Sequence, residues 1–554
     1  LAVLYGIKVE YFDTSGTLQE VTSYDSEQFL NILGINTSSV EELSNEINKV
    51  ELNRWNRRLD SVQVIKEKQF PIIKVRIKSE ELSKPFYWIL EEESGQTHSG
   101  EFNTKDLAIS GYKLFPEYGT IYQFDLPLII NPEPGYHRLK IRDCNGNTES
   151  MMLIVTPEKC YLPEHLKSGK KVWGPKIRLH QILSETNFRI ADSKDLKLII
   201  KILSRQKGGI VGIGSINQVE VRNKNLNAYL PSSKLLFNTL YLDVDSVINF
   251  VGDKTLQIKI LSSEFQKKFK KLKENPDINY KEINDVKYQI FKMIYQVFRE
   301  KHINRNTHKA QEFYNYVASK GKSFAKLTTF RALEEFFSSE DPSIENWHQW
   351  PAPYQRPDSE AVEAFEKNNP ELIQFYQFCQ WQADLQLGQA GLLSFEKKLD
   401  VGIYVELPFG IDPNGADAWL YQDYFNFNAV VEQKNNNFLT EEICKSPPLI
   451  PEKLRDEHYD YLIKTIRINM IHAGAIKISN LAGYDYSEWS SAKDNDTAKL
   501  QVKYELEEIL GIIALESHKN KCIVLVDDYN VLPPRIRQAT LQYGMLTEAF
   551  FNLT

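Results

Sequence analysis

Cysteine is scarce in this sequence, and its five occurrences are odd in number and too widely spaced for a metal-binding or redox motif. No apolar run reaches the roughly 18 residues of a membrane span, and no leader pattern opens the chain. These absences argue against a disulfide framework, a membrane protein and the general secretion route. The expected location is the cytoplasm, with specialised export left open. The cysteines are Cys144, Cys160, Cys379, Cys444 and Cys522.

An excess of charge of one sign is also missing. The chain has 67 basic and 74 acidic residues, a net charge of −7, so it has no global field that would hold nucleic acid or an anionic membrane. Neither partner is expected, and no cofactor or metal is expected. A basic run at residues 267–273 is interpreted as a solvated helix face.

The length of 554 residues indicates two to four domains. Residues 1–60 are predicted to be a small helical unit, and residues 61–157, with short β-type runs between turn signals, a β-sandwich. Residues 158–554 alternate helices with short buried strands, which predicts a parallel α/β sheet or barrel. A helical insertion is expected at about 263–350.

Four apolar runs are the predicted strands of this last region, and one long helix is predicted from about Ser359 to Lys397. The aromatic residues of that helix are interpreted as core. The predicted strands are Gly209–Ile213, Gly402–Leu407, Ala475–Ser479 and Ile523–Val526.

Several motifs in fixed order carry a family likeness. They are GYHRL at 135–139, CYLP at 160–163, YLPSSKLLFNTLYLDV at 229–244, GIDPNGADAW at 410–419, NMIHAGA at 469–475, ALESH at 514–518 and GML at 544–546. Together they resemble the bacterial 4-α-glucanotransferases (amylomaltases) of glycoside hydrolase family 77, along almost the whole chain. The resemblance implies a (β/α)₈ TIM-type barrel that cuts an α-1,4-glucan and passes the glycosyl unit to another sugar.

A glycosyl transfer that retains the anomeric configuration needs a nucleophilic carboxylate and an acid/base carboxyl group about 5 Å apart, here at the ends of barrel strands. The family's nucleophile lies in an ALRIDH motif, where this chain has Lys477 for Arg, Ser479 for Asp and Asn480 for His. The acid/base Glu is replaced by Asp527, which is one methylene shorter. The third carboxylate and the last barrel strands, after about strand 6, are expected beyond Thr554.

Other matching positions imply substrate binding. These residues are Tyr229, Asp412, Asp417 and Trp419, with Glu406 at the end of a predicted strand and Asn480 beside the nucleophile position.

A serine hydroxyl without an adjacent base is a poor nucleophile and carries no charge to support an oxocarbenium-like transition state. The favoured hypothesis is therefore a degenerate member, inactive as a transferase and kept as a binding or interaction scaffold. Its partner is expected to be a maltooligosaccharide or α-glucan, or a protein that contacts loop 431–446. The alternative is residual or altered chemistry on α-1,4-glucans, with Asp527 or Asp528 as acid and Glu406 or Asp485 as a relocated partner.

Overall fold

The computed structural model describes residues 1–548 except 13–17, 117, 185–186, 222–225, 261, 276–277, 437–440, 494–498 and 530. The first 60 residues contain two helices, as the sequence suggested, and a small β hairpin that it did not. Helix α1 begins at a capping box in which Thr22 and Asp25 satisfy each other's backbone N–H groups. The elements are β1 (Glu10–Phe12), β2 (Leu18–Glu20), α1 (Ser23–Ile32) and α2 (Val40–Asn56).

A β-sandwich follows, as the sequence predicts. Its sheets have the strand orders β3-β10-β9-β5-β6 and β4-β8-β7. Ile73, Val75 and Ile77 alternate along one strand and are fully buried between the sheets, which is the period of two expected for a half-buried strand. The strands are β3 (Val62–Lys66), β4 (Ile72–Lys78), β5 (Phe86–Glu91), β6 (Thr97–Phe102), β7 (Ala108–Phe115), β8 (Gly119–Pro127), β9 (Gly135–Arg142) and β10 (Thr148–Thr156).

The remaining chain opens with short elements and a run of helices. They are α3 (Glu164–Lys167), α4 (Ser193–Arg205), β11 (Ile210–Gly212), β12 (Asn217–Gln218), β13 (Ser233–Phe237), α5 (Val244–Val251), α6 (Lys254–Ile260), α7 (Ser263–Glu274), α8 (Tyr280–Phe298), α9 (His308–Glu340), α10 (Glu360–Asn368) and α11 (Pro370–Glu396). Helix α9 is broken at Gly321, whose φ of 73° is left-handed and favours glycine.

The second half alternates strands and helices. Its elements are β14 (Gly402–Leu407), α12 (Ala416–Leu420), β15 (Ala429–Asn436), β16 (Glu441–Ser446), α13 (Pro451–Asp456), α14 (Asp460–Met470), β17 (Ala475–Ile478), β18 (Tyr486–Ser491), β19 (Leu500–Lys503), α15 (Leu506–Asn520), β20 (Ile523–Val526), α16 (Pro534–Gln542) and β21 (Leu546–Thr547).

The central sheet is parallel and has the strand order β11-β14-β17-β20-β21. All four predicted buried runs lie in it, and helices separate the strands along the chain, so the α/β assignment and the TIM-type build are correct. In the described residues the sheet is a half-barrel of five strands. The β15, β16, β18 and β19 strands form a separate antiparallel sheet beside its carboxyl end.

The single long helix predicted at 359–397 is wrong in one respect, because the structure divides it at Asn369 into α10 and α11. Pro370 has no N–H to continue a helix and restricts the residue before it, so it begins a new helix as residue N1. The aromatic residues of α11 lie in the core as expected, with Phe375, Phe378 and Trp381 all buried.

Helix α15 connects the sandwich to the half-barrel. The Tyr136 hydroxyl of β9 donates to Glu516 Oε1 at 2.6 Å, and Arg467 of α14 pairs with the same carboxylate at 2.7 Å. Because α15 leads directly into β20, these contacts help to position β20 and Asp527, the residue that follows it.

Candidate functional site

The site lies at the carboxyl ends of β14, β17 and β20. Glu406 and Lys477 are register partners in neighbouring parallel strands, and Lys477 is the partner of Leu525 on the other side. Parallel strands place their carboxyl ends at one edge of the sheet, so residues far apart in sequence meet there. This edge brings Glu406, Lys477, Ser479, Asn480 and Asp527 together.

Lys477 is the centre of the cluster. Its ammonium nitrogen lies 3.3 Å from Asp527 Oδ1, 3.3 Å from Glu548 Oε2 and 3.7 Å from Glu406 Oε1. Only 10% of the side chain is exposed. Burial opposes the charged form, but the carboxylates of Glu406, Glu548 and Asp527 outweigh it and raise the pKa of Lys477. The lysine is therefore a fixed cation at the sheet edge.

Ser479 follows β17 and is buried. Its hydroxyl donates to Glu406 Oε1 at 3.2 Å. Burial favours the neutral form of Glu406, but Lys176, Lys477 and the Ser479 hydrogen bond together lower the pKa of this carboxyl group. Lys176 Nζ contacts the other oxygen of Glu406 at 3.2 Å. Glu406 is thus an ionised carboxylate held by two lysines.

Asp527 lies opposite, directly after β20. Its Oδ2 accepts a hydrogen bond from the backbone N–H of Asn480 at 2.9 Å, while Oδ1 faces Lys477. Asn480 has a left-handed backbone, φ 53° and ψ 51°, which asparagine tolerates better than most residues. The 30% exposure of the Asp527 side chain makes it the most open carboxylate around Lys477.

Tyr229 also approaches this cluster. Burial raises the pKa of its hydroxyl, the Glu406 carboxylate adds to that rise, and Arg178 hydrogen-bonds to it. The segment carrying Lys176 reaches the site by a parallel bridge to Gly212, at the end of β11.

Sequence reasoning missed four residues at this site, namely Lys176, Arg178, Tyr404 and Glu548. Tyr404 donates to the carboxylate of Glu548 from within β14. Glu548 follows the short strand β21, so an acid directly after a strand was the available signal. Lys176 and Arg178 lie in no motif that would predict a role at this site, and only the fold brings them here.

The structure does not bring Asp417 and Trp419 to the cluster, since both are completely buried. Asp417 accepts hydrogen bonds from the Ser233 hydroxyl, the Lys234 backbone N–H and the Tyr461 hydroxyl, at 2.5, 2.8 and 2.8 Å. Burial raises its pKa. These contacts join β13, α12 and α14, and they leave Asp417 no surface on which a sugar could sit.

Trp419 is likewise enclosed. Its ring lies against Phe330 and Trp350, and its indole N–H donates to the Tyr354 carbonyl at 3.0 Å. Asp412 is half-buried, and its Oδ1 accepts from the Asn414 backbone N–H at 2.9 Å, which closes a local turn. Asp417 and Trp419 therefore make packing contacts, and the printed contact of Asp412 is a local turn.

Asp485 and Asp528, the alternative acids, lie apart from the lysine contacts described above. Asp485 is buried, pairs with Arg535 at 3.4 Å, and its pKa is raised by burial. Asp528 is exposed on the loop after β20. Of the four residues considered for altered chemistry, the structure places only Glu406 and Asp527 around a common group.

No group of three or more His, Cys, Asp or Glu side chains has an arrangement that could hold a metal ion in the part of the chain that the structure describes. No helix within the described ranges is long and apolar enough to cross a membrane.

A TIM-type half-barrel with acidic residues at its strand ends, behind an N-terminal β-sandwich, defines the class as a TIM-type barrel protein with a carboxylate site at the carboxyl edge of its sheet. Residues 177–553 match the family Glyco_hydro_77, described as 4-alpha-glucanotransferase, and residues 58–157 match the MalQ N-terminal beta sandwich domain. The chain belongs to the 4-α-glucanotransferase family, glycoside hydrolase family 77.

Two curated relatives are named 4-alpha-glucanotransferase. The Mycobacterium tuberculosis protein is 25% identical over 561 residues, covering 99% of this chain and 74% of the relative. The Haemophilus influenzae protein is 25% identical over 418 residues, covering 74% of this chain and 59% of the relative.

Among solved structures, the amylomaltase from Corynebacterium glutamicum superposes with a TM-score of 0.80 at 20% identity, covering 99% of this chain and 74% of that one. The amylomaltase from Streptococcus agalactiae in complex with acarbose gives a TM-score of 0.55 at 12% identity, covering 68% and 73%. At these identities the likeness shows the fold.

Proposed function

We propose that this chain binds an α-1,4-glucan at the carboxyl ends of β14, β17 and β20 and has lost most or all transferase activity. One observation carries the proposal. At the end of β17, where the family resemblance expects a nucleophilic carboxylate, the chain has the Ser479 hydroxyl, and that hydroxyl donates its hydrogen bond to Glu406.

Retaining transfer needs a free nucleophile and a protonated acid. Ser479 carries no charge, and the Glu406 carboxylate that accepts its hydrogen bond is a weak base, because Lys176 and Lys477 lower the pKa of Glu406. An ionised Glu406 cannot donate a proton to a leaving sugar oxygen. Asp527 is engaged by Lys477 and by the Asn480 N–H. Each ~1.4 kcal/mol added to the barrier slows the reaction tenfold, so an increase of several kcal/mol on losing the nucleophile removes most of the rate.

Sugar binding is a smaller demand than catalysis. It needs hydroxyl-binding polar groups at an open edge, and Tyr229, Asn480 and Asp527 supply them there. Family membership supports an α-glucan as the ligand, and the Streptococcus agalactiae relative was solved with acarbose bound. For this chain the glucan is the proposed ligand.

A second candidate is altered chemistry with Glu406 as nucleophile and Asp527 as acid. The observation in its favour is geometric. Both carboxylates contact the Lys477 ammonium, so their nearest oxygens lie at most about 7 Å apart, within reach of the separations that glycosidases use. Opposing it, the lowered pKa of Glu406 reflects ion pairs that a nucleophile would have to give up.

A protein partner at loop 431–446 is the remaining hypothesis. The described part of this segment is the β15–β16 hairpin, with Val431 paired to Ser446. Residues 437–440 lie outside the described residues, so this proposal rests on the sequence change alone.

Incubation with maltotriose separates these possibilities. We expect no glucose and no longer oligosaccharides at high protein concentration, together with a rise in melting temperature on adding maltooligosaccharides. Redistribution of maltotriose would contradict the loss of transfer, and the Glu406→Gln variant would then show whether Glu406 performs it. No change in melting temperature and no turnover would refute the glucan site.

A gain-of-function pair tests whether the site is only decayed. Ser479→Asp with Asp527→Glu, made in a chain extended past Thr554 where the resemblance expects the third carboxylate, restores the two carboxylates expected at these positions. Because the carboxylate introduced at the end of β17 would face the ionised Glu406, Glu406→Gln is added as a third change in a parallel variant. The Ser479→Asn variant, which has similar size and no charge, is the matched control. Transfer activity in either restored variant, but not in the control, would show that the site is decayed rather than repurposed.

A further inference from the structure

Residues 254–275 carry an unusual density of charge of one sign. This stretch of α6 and α7 contains seven lysines and two glutamates, whereas the chain as a whole has a net charge of −7. The stretch is therefore a locally basic segment of a protein with a net negative charge. We call the exposed lysines Lys259, Lys267, Lys270, Lys271 and Lys273 the α7 lysine patch.

The packing of α7 exposes this patch to solvent. Phe265 and Leu272 of α7 are buried, at 7% and 6% exposure, and Phe269 packs edge-on against Phe188 with ring centres 4.7 Å apart. The apolar side of the helix is thus used inside the protein. Lys270 and Lys271 have side chains 75% and 78% exposed on the outer side.

The acids that pair with Lys270 and Lys271 neutralise these two lysines only weakly. Glu274 lies 3.6 Å from Lys270 and Glu282 lies 3.8 Å from Lys271, and these carboxylates are themselves 65% and 39% exposed. Exposed pairs at such distances contribute little and are screened by salt. The patch therefore keeps a positive potential.

The chemistry of the patch selects among anionic partners. All seven basic residues of this stretch are lysines, and the guanidinium of neighbouring Arg189 donates to the Lys273 and Asn275 carbonyls. The stretch itself therefore carries no planar fork of the kind that binds phosphopeptides and nucleic acid bases. Its aromatic rings Phe265 and Phe269 face inward, which leaves them unable to stack on bases. Beside the lysines, Ile258 of α6 is 71% exposed and offers an apolar contact.

We propose that the α7 lysine patch docks the protein on an anionic phospholipid surface. Clusters of four to eight basic residues on an amphipathic helix bind such surfaces through electrostatic attraction. The exposed Ile258 then reaches the headgroup region. The attachment is peripheral and salt-sensitive, because the apolar side of α7 stays inside the protein and does not insert.

Vesicle sedimentation tests the proposal. The intact chain is expected to sediment with vesicles of phosphatidylcholine and phosphatidylserine, to stay in solution with phosphatidylcholine alone, and to be released by added salt. The Lys267→Glu, Lys270→Glu, Lys271→Glu triple variant should partition about a hundredfold less. Ile258→Ser should weaken binding by a smaller factor.

The matched control reverses three exposed lysines of the sandwich region, Lys68→Glu, Lys74→Glu and Lys105→Glu. It changes net charge equally and should still sediment with the anionic vesicles. Melting curves of both triple variants check that the fold is intact. Equal loss in the control would overturn the proposal, as would failure of the unmodified chain to bind the anionic vesicles. Binding of poly-glutamate or RNA without vesicle binding would assign the patch to another partner class and also overturn it.

Discussion

The Lys477→Met substitution tests the structure most directly. It removes the ammonium that Asp527, Glu548 and Glu406 share and keeps a flexible side chain of similar length. Lys477 is 10% exposed, so solvent screens these contacts little. Removing one partner of a buried ion pair costs about 3–5 kcal/mol, because an uncompensated charge stays behind. The partial exposure of Asp527 and the second lysine on Glu406 place our expectation at the lower end, about 3 kcal/mol at pH 7.

The cost depends on pH in a defined direction. The pKa of Glu406 is lowered in the folded protein, so its stabilising contribution is present above its unfolded pKa of about 4.3 and is lost as pH falls through the folded pKa. The pKa of Lys477 is raised, so its own contribution is complete below its unfolded value of about 10.4. The difference between the two proteins should therefore be largest from pH 6 to 8 and shrink below about pH 4.

Urea unfolding at pH 7 and at low pH measures this difference. The Lys503→Met variant is the control, because Lys503 forms an exposed pair with Glu505 at 3.0 Å and should change stability by less than about 0.5 kcal/mol. A Lys477→Met cost below about 1 kcal/mol at pH 7 would refute the buried cluster. A cost that is the same at both pH values would refute its electrostatic origin.

Three further substitutions test buried groups. Burial lowers the pKa of Lys234 to about 7, although the Asp417 carboxylate opposes this shift. Between about pH 7 and pH 10 the lysine is therefore protonated in the unfolded chain and neutral in the folded protein, so the free energy of unfolding should rise with pH over this range. That rise should be smaller in Lys234→Met, as measured by urea midpoints. Asp417→Asn weakens three hydrogen bonds to a buried carboxylate and should cost about 2–4 kcal/mol, while leaving the sugar-induced shift in melting temperature unchanged. Trp419→Ala should cost about 3–5 kcal/mol by urea unfolding, again with unchanged sugar affinity of the folded protein. Loss of sugar binding in a folded Asp417 or Trp419 variant would contradict the packing roles described here.

The sequence predicts the strands of the half-barrel well, because short apolar runs such as Gly402–Leu407 coincide with buried strands. It also places Ser479 at the end of one predicted strand and Asp527 directly after another, since the apolar runs Ala475–Ser479 and Ile523–Val526 end there. It cannot give the direction of a side chain in a motif. Asp417 matches a family position as well as Tyr229 does, yet one is enclosed by Ser233 and Tyr461 while the other approaches Glu406.

Long-range ionic contacts are the other part that sequence reasoning could not supply. Lys176 and Glu548 are separated by most of the chain and converge only through the sheet. Their effect on pKa depends on distances of a few ångströms and on burial, and neither is encoded by spacing along the chain. The ionised state of Glu406 is therefore a property of the fold.

The cluster also supports the proposed loss of transferase activity, because its charges are compensated within the fold. An active retaining site leaves a carboxylate poorly compensated so that it can attack, and this costs stability. Here Lys176 and Lys477 neutralise Glu406, and Ser479 adds a hydrogen bond where a second acid would add repulsion. The charges that remain at the sheet edge are paired with one another. Under the proposed function, a serine at this position removes like-charge repulsion as well as the nucleophile, and the sheet edge serves as a surface for polar ligands.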